Sequence, residues 1–311
     1  MTSPEVSVII PTLGRWELLR QTLSTVARQQ DVELEVLVID GSASGPARSE
    51  LSGILDERLR VIHLPGSRIA EKRNRGIAEA AGKWIAFLDD DDLWAPWKLT
   101  SQLALGKSAG FVFSGCVVVD EHCVERLVLL PPGDDGDLHS KLLAVNVVPA
   151  GASNVLARTD AVRALGGFDE EFSILDDWDM WIRLAHEAPV QMSTEIVVAH
   201  REHSRSEGIT RPRDALVEAE RLMEKHGSHE VLDQDRLQRW VTGAHRRANR
   251  RLAAATSYLR LARLSRQRRD LARAGAVLLG ERAMRLGRRS RPPKTTVHWL
   301  SEFRDGSDSE R

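Results

Sequence analysis

The chain has no uninterrupted apolar run of about 18 residues, so no membrane-spanning helix is expected. Its first residues, MTSPEVSVIIPT, lack both a basic start and a cleavable apolar stretch, which argues against export by a signal peptide. Only two cysteines occur, Cys116 and Cys123. They are too few for a disulfide framework, and their spacing without matching His or Cys partners makes a poor zinc site. Both are expected to be ordinary buried or half-buried thiols in a reducing cytosol. No GxGxxG follows the first apolar run, where Pro11-Thr12-Leu13-Gly14 stands instead, so a dinucleotide oxidoreductase is disfavoured. An aspartate-rich prenyl-transfer motif, DDxxD, is also missing: the position four on from Asp89 is Leu93.

What is present is a folded-protein composition, 42% hydrophobic and 29% charged over 311 residues, long enough for one large domain with an appendage or for two ordinary domains. The net charge of −1 conceals an asymmetry. Residues 239–291 hold 16 Arg against Asp270 and Glu281, a net of +14, which leaves −15 for the remainder. Two regions with different tasks are expected, divided as residues 1–212, an Arg-rich helical extension over 213–291, and a polar tail over 292–311.

The first part alternates short apolar runs with helical periodicity. Val6–Ile10 reads as a strand buried on both faces, and Trp16–Gln29 carries Leu18, Leu19, Leu23 and Val26 at helical spacing. Strands follow at Glu35–Ile39, Arg60–His63 and Trp84–Leu88, with helices around Ala47–Leu55 and over Ile69–Ala81. This order predicts an α/β fold with a mainly parallel sheet covered by helices, whose ligands gather at the carboxyl ends of the strands. Further on, strands are expected at Phe111–Val119, Val155–Ala157 and Ile196–His200, and a helix at Asp177–His186. Beyond residue 214 the chain reads as helix to about 290, with a helical hairpin in the Arg-rich part.

Four signals fall at or near strand ends. Asp89-Asp90-Asp91-Asp92 directly follows the apolar WIAFL. Crowded carboxylates repel, and a divalent cation such as Mg²⁺ or Mn²⁺ would relieve them; a solvated acidic turn is the alternative. Asp40-Gly41-Ser42 offers an acceptor for a nucleobase, or a common turn. Arg73, in Arg73-Asn74-x-Gly76, would pair with a phosphate or with Asp40, or lie on the surface. Asp176 and Asp177 begin a helix after Gly166-Gly167-Phe168-Asp169, where one would serve as a general base or simply as a cap.

In this order the segments VSVIIPTLGRWELLRQTLSTVARQ, VLVIDGSASG, EKRNRGIAEAAGKWIAFLDDDDLWAPWKL, GGFDEEF and DDWDMWIRLA resemble the family-2 glycosyltransferases of GT-A fold, across residues 5–205. The resemblance implies an inverting enzyme with a metal-bound nucleotide-sugar donor, a hydroxyl-bearing acceptor (a glycan, lipid-linked sugar or small molecule), and Mn²⁺ or Mg²⁺ as cofactor. By the same resemblance Pro11, Thr12 and Asp40 would sit at the nucleotide, with Arg73 nearby. Asp89-x-Asp91 resembles the family's DxD motif. Asp91 would be the main metal ligand, and Asp89 or Asp90 would hold ribose or metal. Asp177 would be the catalytic base, with Arg183 six residues on, and His203 a ligand near the diphosphate, with His200 as its competitor.

Two positions depart from the pattern: Ile39 stands where the family often has a first aspartate, and Asp176 where Glu is usual. The processive Gln-x-x-Arg-Trp is absent, since Arg236 precedes Arg239-Trp240 where Gln is required, so single addition is expected. A metal-dependent nucleotidyltransferase and a non-catalytic nucleotide-sugar binder stay as rivals. Trp94, Trp97, Trp178 and Trp181 would stack on sugars or fill the core. The Arg-rich helices would be a solvated or interdomain face, or a peripheral contact with anionic membrane at the inner face; nucleic acid is not expected, for want of aromatic interleaving.

Overall fold

A computed structural model describes residues 4–44, 51, 57–133, 136–202, 212–227, 233–247, 250–280 and 297–303. Most of the expected helix around Ala47–Leu55, His203, the Arg-rich residues 281–291 and the final DGSDSER lie outside the described residues.

The apolar runs become strands because helices cover them from both sides. Strand β1 (Val6–Thr12) is buried throughout and lies between β2 (Leu34–Asp40) and β4 (Trp84–Phe87), parallel to both. The pleat sends alternate side chains to opposite faces. Ile9, Leu37, Ile39, Ile85 and Phe87 join one core, which helix α2 (Ile69–Glu79) covers through Ala70 and Ile77. Val8, Ile10, Val36, Val38 and Ala86 join the other, covered by Leu19, Leu23 and Val26 of α1 (Trp16–Ala27). Strand β3 (Leu59–His63) completes the parallel half beside β2.

Beyond β4 the sheet becomes mixed. The order is β3-β2-β1-β4-β8-β6-β9-β5, with β7 paired to β6. The added strands are β5 (Leu93–Trp94), β6 (Phe111–Val119), β7 (Glu125–Leu129), β8 (Leu156–Arg158) and β9 (Val190–Arg201). Strand β8 starts one residue later than the spacing suggests, because the Val155 N–H is engaged by the Ala152 carbonyl in a 3-10 turn, Gly151–Asn154. Helices α3 (Lys98–Leu105), α4 (Leu138–Ala144) and α5 (Thr159–Ala164) are short connectors. Helix α6 (Asp176–Glu187) drives Trp178 and Trp181 into the core. Trp181 is wholly buried among Phe87, Phe111 and Phe168, at ring separations of 6.0–6.2 Å. Trp94 is buried too, and the half-buried Trp97 donates to Glu195. Packing therefore accounts for the three buried tryptophans, and Cys116 and Cys123 are buried and free.

The extension follows β9 as α7 (Pro212–His226), α8 (Gln234–Arg247), α9 (Arg251–Ser265) and α10 (Arg268–Leu279). The expected hairpin is α9–α10, closed by Ala254, Tyr258 and Leu261 against Ala274 and Val277. The expected polar tail differs over its first described part. A 3-10 turn at His298–Phe303 carries Leu300, and with Val297 it packs on Leu93, Val117 and Ala199 of the sheet. The reason is local composition: Val297, Trp299, Leu300 and Phe303 are apolar in a segment otherwise polar.

Candidate active site

The carboxyl ends of β1, β2 and β4 lie side by side, which brings Thr12, Asp40 and the aspartate run together. Thr12 is the register partner of Asp40 and donates its hydroxyl to Asp90 at 2.5 Å. Asp40 is fully buried, and its two oxygens accept the Ser42 N–H and hydroxyl, each at 2.9 Å. The Asp-Gly-Ser turn is thus held by its own carboxylate. Each oxygen keeps a second lone pair for a ligand donor. Pro11 is buried in β1.

The four aspartates fall into two kinds. Asp92 has no exposed side-chain surface; it accepts the Arg201 N–H at 2.9 Å and faces His200 Nδ1 at 3.1 Å, tying the end of β9 to the loop. Asp90 is similarly buried between Thr12 and Arg15. Asp89 and Asp91 keep more accessible side chains, 34% and 14% exposed. The alternation separates an outward Asp89-x-Asp91 pair from an inward structural pair. Arg15, at the start of α1, reaches Asp91 at 2.7 Å and also pairs with Asp90. Spacing alone did not single out Arg15, a lone arginine in a loop.

Arg73 is the link between the aspartate loop and α6. It is 4% exposed and donates to Asp176 at 2.6 Å and to Asp89 at 3.0 Å, with its guanidinium 5.2 Å from the Phe168 ring centre. The partner expected as Asp40 or a phosphate is thus the Asp89–Asp176 pair, and the Nε of Arg73 is buried without a hydrogen-bond partner. Asn74 beside it grips the glycine turn, donating to the Phe168 carbonyl at 2.8 Å and accepting its N–H at 2.7 Å. Gly167, at φ +79°, is required there: a Cβ would stand 2.4 Å from Asn74 Oδ1.

Asp177 follows Asp176 at the start of α6, where Leu175 holds the N-cap position without a side-chain cap. Both aspartates nonetheless stand in the first turn, where carboxylates favour the free helix amides, and Asp177 accepts the Trp178 N–H. The three amides before the helix, of Ser173, Ile174 and Leu175, donate instead to Glu218 of α7 at 2.8–3.0 Å. Asp177 is half-buried and lies against the backbone of Gly151, whose φ is +51°; a Cβ there would meet Oδ2 at 2.5 Å. Two residues on, Ser153 accepts the Asp89 N–H at 3.0 Å. The 3-10 turn Gly151–Asn154 thus touches both Asp89 and Asp177, and no sequence signal announced it.

The charges respond to this crowding. Burial, then the neighbouring Asp176 and Asp89, push Asp177 up to about 7 against the pull of Arg73. Burial also raises Asp89, opposed by Arg73 and aided by Asp92, Asp91 and Asp90, to about 6. For His200, burial works against the charged ring, but Asp92, with Asp91 and Asp89 beyond, holds it up to about 9. Arg183 does not face this site: it binds Asp179 at 2.7 Å and the Leu165 and Gly167 carbonyls, securing α6 to the glycine turn.

Among the described residues no group of three His, Cys, Asp or Glu side chains stands ready as a metal cage. The donor chemistry nonetheless fits a hard divalent cation. Asp89 and Asp91 offer accessible oxygens in a loop where carboxylates outnumber cations, and Mg²⁺-type sites commonly use one or two carboxylates plus substrate phosphates.

Residues 7–131 match the family model Glycosyl transferase family 2. The Escherichia coli UDP-Glc:alpha-D-GlcNAc-diphosphoundecaprenol beta-1,3-glucosyltransferase WfgD is 26% identical over 182 residues, 58% of this chain and 69% of that protein. Other curated glycosyltransferases, 33–38% identical over 35–37% of this chain, are spanned over only 18–46% of their own length. Among solved structures, Staphylococcus aureus TarS 1-349 in complex with UDP-GlcNAc superposes with TM-score 0.56 at 18% identity, covering 78% of this chain and 72% of that one. The Pyrobaculum calidifontis mannosyltransferase PcManGT, in complex with GDP-Man and Mn²⁺, gives 0.52 at 19% identity, covering 92% and 79%. The fold is that of the GT-A glycosyltransferases.

Proposed function

We propose that the protein transfers a sugar from a nucleotide-diphosphate donor to an acceptor hydroxyl, with inversion and one addition per encounter. The observation that carries this reading is the Arg73 bridge, which holds Asp89 and Asp176 together and so sets the Asp177 carboxylate beside the aspartate loop. Thr12 and Asp40 bind the nucleoside end, and Asp89 and Asp91 face its phosphates. Mn²⁺ or Mg²⁺ at Asp89 and Asp91 would supply charge neutralisation for the departing diphosphate; the Mn²⁺ in the mannosyltransferase neighbour supports this choice.

Asp177 accepts the proton of the attacking hydroxyl at its carboxylate, on the face opposite the leaving group. A base raised to about 7 by burial and by Asp176 is available as carboxylate in substantial part near neutral pH and is basic enough for that task. Gly151 leaves room for the carboxylate, and Arg73 fixes its distance from Asp89. Arg239 pairs with Asp235 at 2.7 Å and Asp270 at 3.1 Å, which gives it a structural role and supports single addition. We place the enzyme in the cytoplasm, where nucleotide sugars are at hand, in contact with a membrane face. No helix among the described residues is long and apolar enough to cross a membrane.

A panel of nucleotide sugars with Mn²⁺, assayed for released nucleoside diphosphate and for a glycosylated acceptor, tests the reading. Release of pyrophosphate would assign a nucleotidyltransferase, and tight binding without turnover of any donor would assign a binding protein.

A further inference from the structure

The α9–α10 hairpin combines two properties that a solvated face does not need together. Over residues 251–279 there are seven Arg and one acid, Asp270, which is buried and paired with Arg239 and Arg273. The same hairpin turns all its leucines but Leu261 outward. Leu279 is 80% exposed, Leu252 78% and Leu271 54%. On α10, Leu271, Ala272, Gly275, Leu278 and Leu279 are all exposed and recur at helical spacing, while Ala274 and Val277 face α9. Arg266, Arg268 and Arg269 are exposed at the N-terminal end of this stripe. At its other end Gly280 lies beside the Arg251 guanidinium, its Cβ position 3.6 Å away, so Leu252 and Leu279 share one end of the hairpin.

We propose that the α9–α10 hairpin is a docking surface for an anionic lipid bilayer. Guanidinium groups meet lipid phosphates while the leucine stripe enters the boundary of the acyl region, the arrangement by which amphipathic helices lie on membranes. A second copy of this chain is a poor occupant, because two such hairpins, each with a formal net charge of +6 over residues 251–279, repel. A nucleic acid would satisfy the arginines but leave the leucines in water, since phosphodiester backbones are bound by charged and polar groups. This surface stands independently of the transfer reaction proposed above.

Full-length protein should co-sediment with vesicles containing phosphatidylglycerol at low salt and should leave phosphatidylcholine-only vesicles in the supernatant. Leu271→Asp, Leu278→Asp and Leu279→Asp together should lower partitioning by at least about tenfold. Leu279→Asp alone, at the most exposed position, should lower it measurably with the circular dichroism spectrum unchanged. Replacing Arg266, Arg268 and Arg269 by Gln should remove most of the salt sensitivity. Absence of binding to anionic vesicles at low salt would overturn the proposal, as would equal binding to neutral vesicles or indifference to the Leu→Asp changes. Lipid-free self-association abolished by Leu279→Asp, or duplex DNA binding in place of vesicle binding, would overturn it too.

Discussion

Asp176 and Asp177 are neighbours with opposite fates. Asp176 is paired with Arg73 at 2.6 Å, whereas Asp177, pressed on Gly151, has a carboxyl raised to about 7. General-base assistance is typically worth about 10²–10⁴-fold. Asp177→Asn should therefore lower kcat by that order while calorimetry finds donor affinity little changed; retention of a tenth or more of the wild-type rate would remove Asp177 from the chemistry. The pH dependence has a definite sign. Protonated Asp177 cannot take up the acceptor proton, so kcat/KM should rise with pH up to about 7 and then level. Asp176→Asn removes the negative neighbour and frees Arg73, so it should move that limb to lower pH; an upward shift would contradict the electrostatic account.

At the scale of elements, β1 and β2 were legible because each is covered on both sides and needs a continuous apolar run. The aspartate run was legible as a candidate site but not in the way its four side chains divide. Only the three-dimensional course of the loop turns Asp90 and Asp92 inward and leaves Asp89 and Asp91 accessible. The Gly151–Asn154 turn was illegible for a different reason. It acts through a positive φ and one serine hydroxyl, which leave no periodicity in the sequence. Long-range support was equally hidden, for Glu218 braces a loop 45 residues earlier in the chain.

Helix α7 also holds α6 through Asp179, whose carboxylate has no exposed surface and meets Arg183, Lys225 and His226 at 2.7–2.9 Å. Burial opposes ionisation, but His226, Arg183 and Lys225 prevail and hold Asp179 at about 2. A depressed carboxyl contributes stability that is complete above its unfolded value near 3.9 and is lost as pH falls toward 2. Asp179 should supply about 2 kcal/mol in this way. Chemical denaturation followed by circular dichroism should show the wild type losing that increment between pH 4 and about 2, with Asp179→Asn already lacking it at neutral pH. Parallel curves for the two proteins across that range would contradict the assignment.

For the whole molecule, we propose that the charge division read from composition marks two units, an α/β layer and an Arg-rich set of helices. The return of the chain was not legible. Val297–Phe303 comes back to the sheet because four apolar residues outweigh a polar setting, and Leu300 is fully buried among Leu93, Val117 and Ala199. Leu300→Ala should cost roughly 2–4 kcal/mol of stability by denaturant titration. A loss under about 0.5 kcal/mol, the usual effect at an exposed site, would show that this segment does not dock.

The account depends above all on Asp89 and Asp91 facing a divalent cation shared with the donor diphosphate. Calorimetric affinity for the preferred nucleotide sugar, with and without Mn²⁺, in wild type and in Asp91→Ala, tests it most directly. The account predicts that Mn²⁺ tightens wild-type binding by about tenfold or more and leaves Asp91→Ala unchanged. Equal wild-type affinity with and without the ion, or a full Mn²⁺ effect retained in Asp91→Ala, would contradict it.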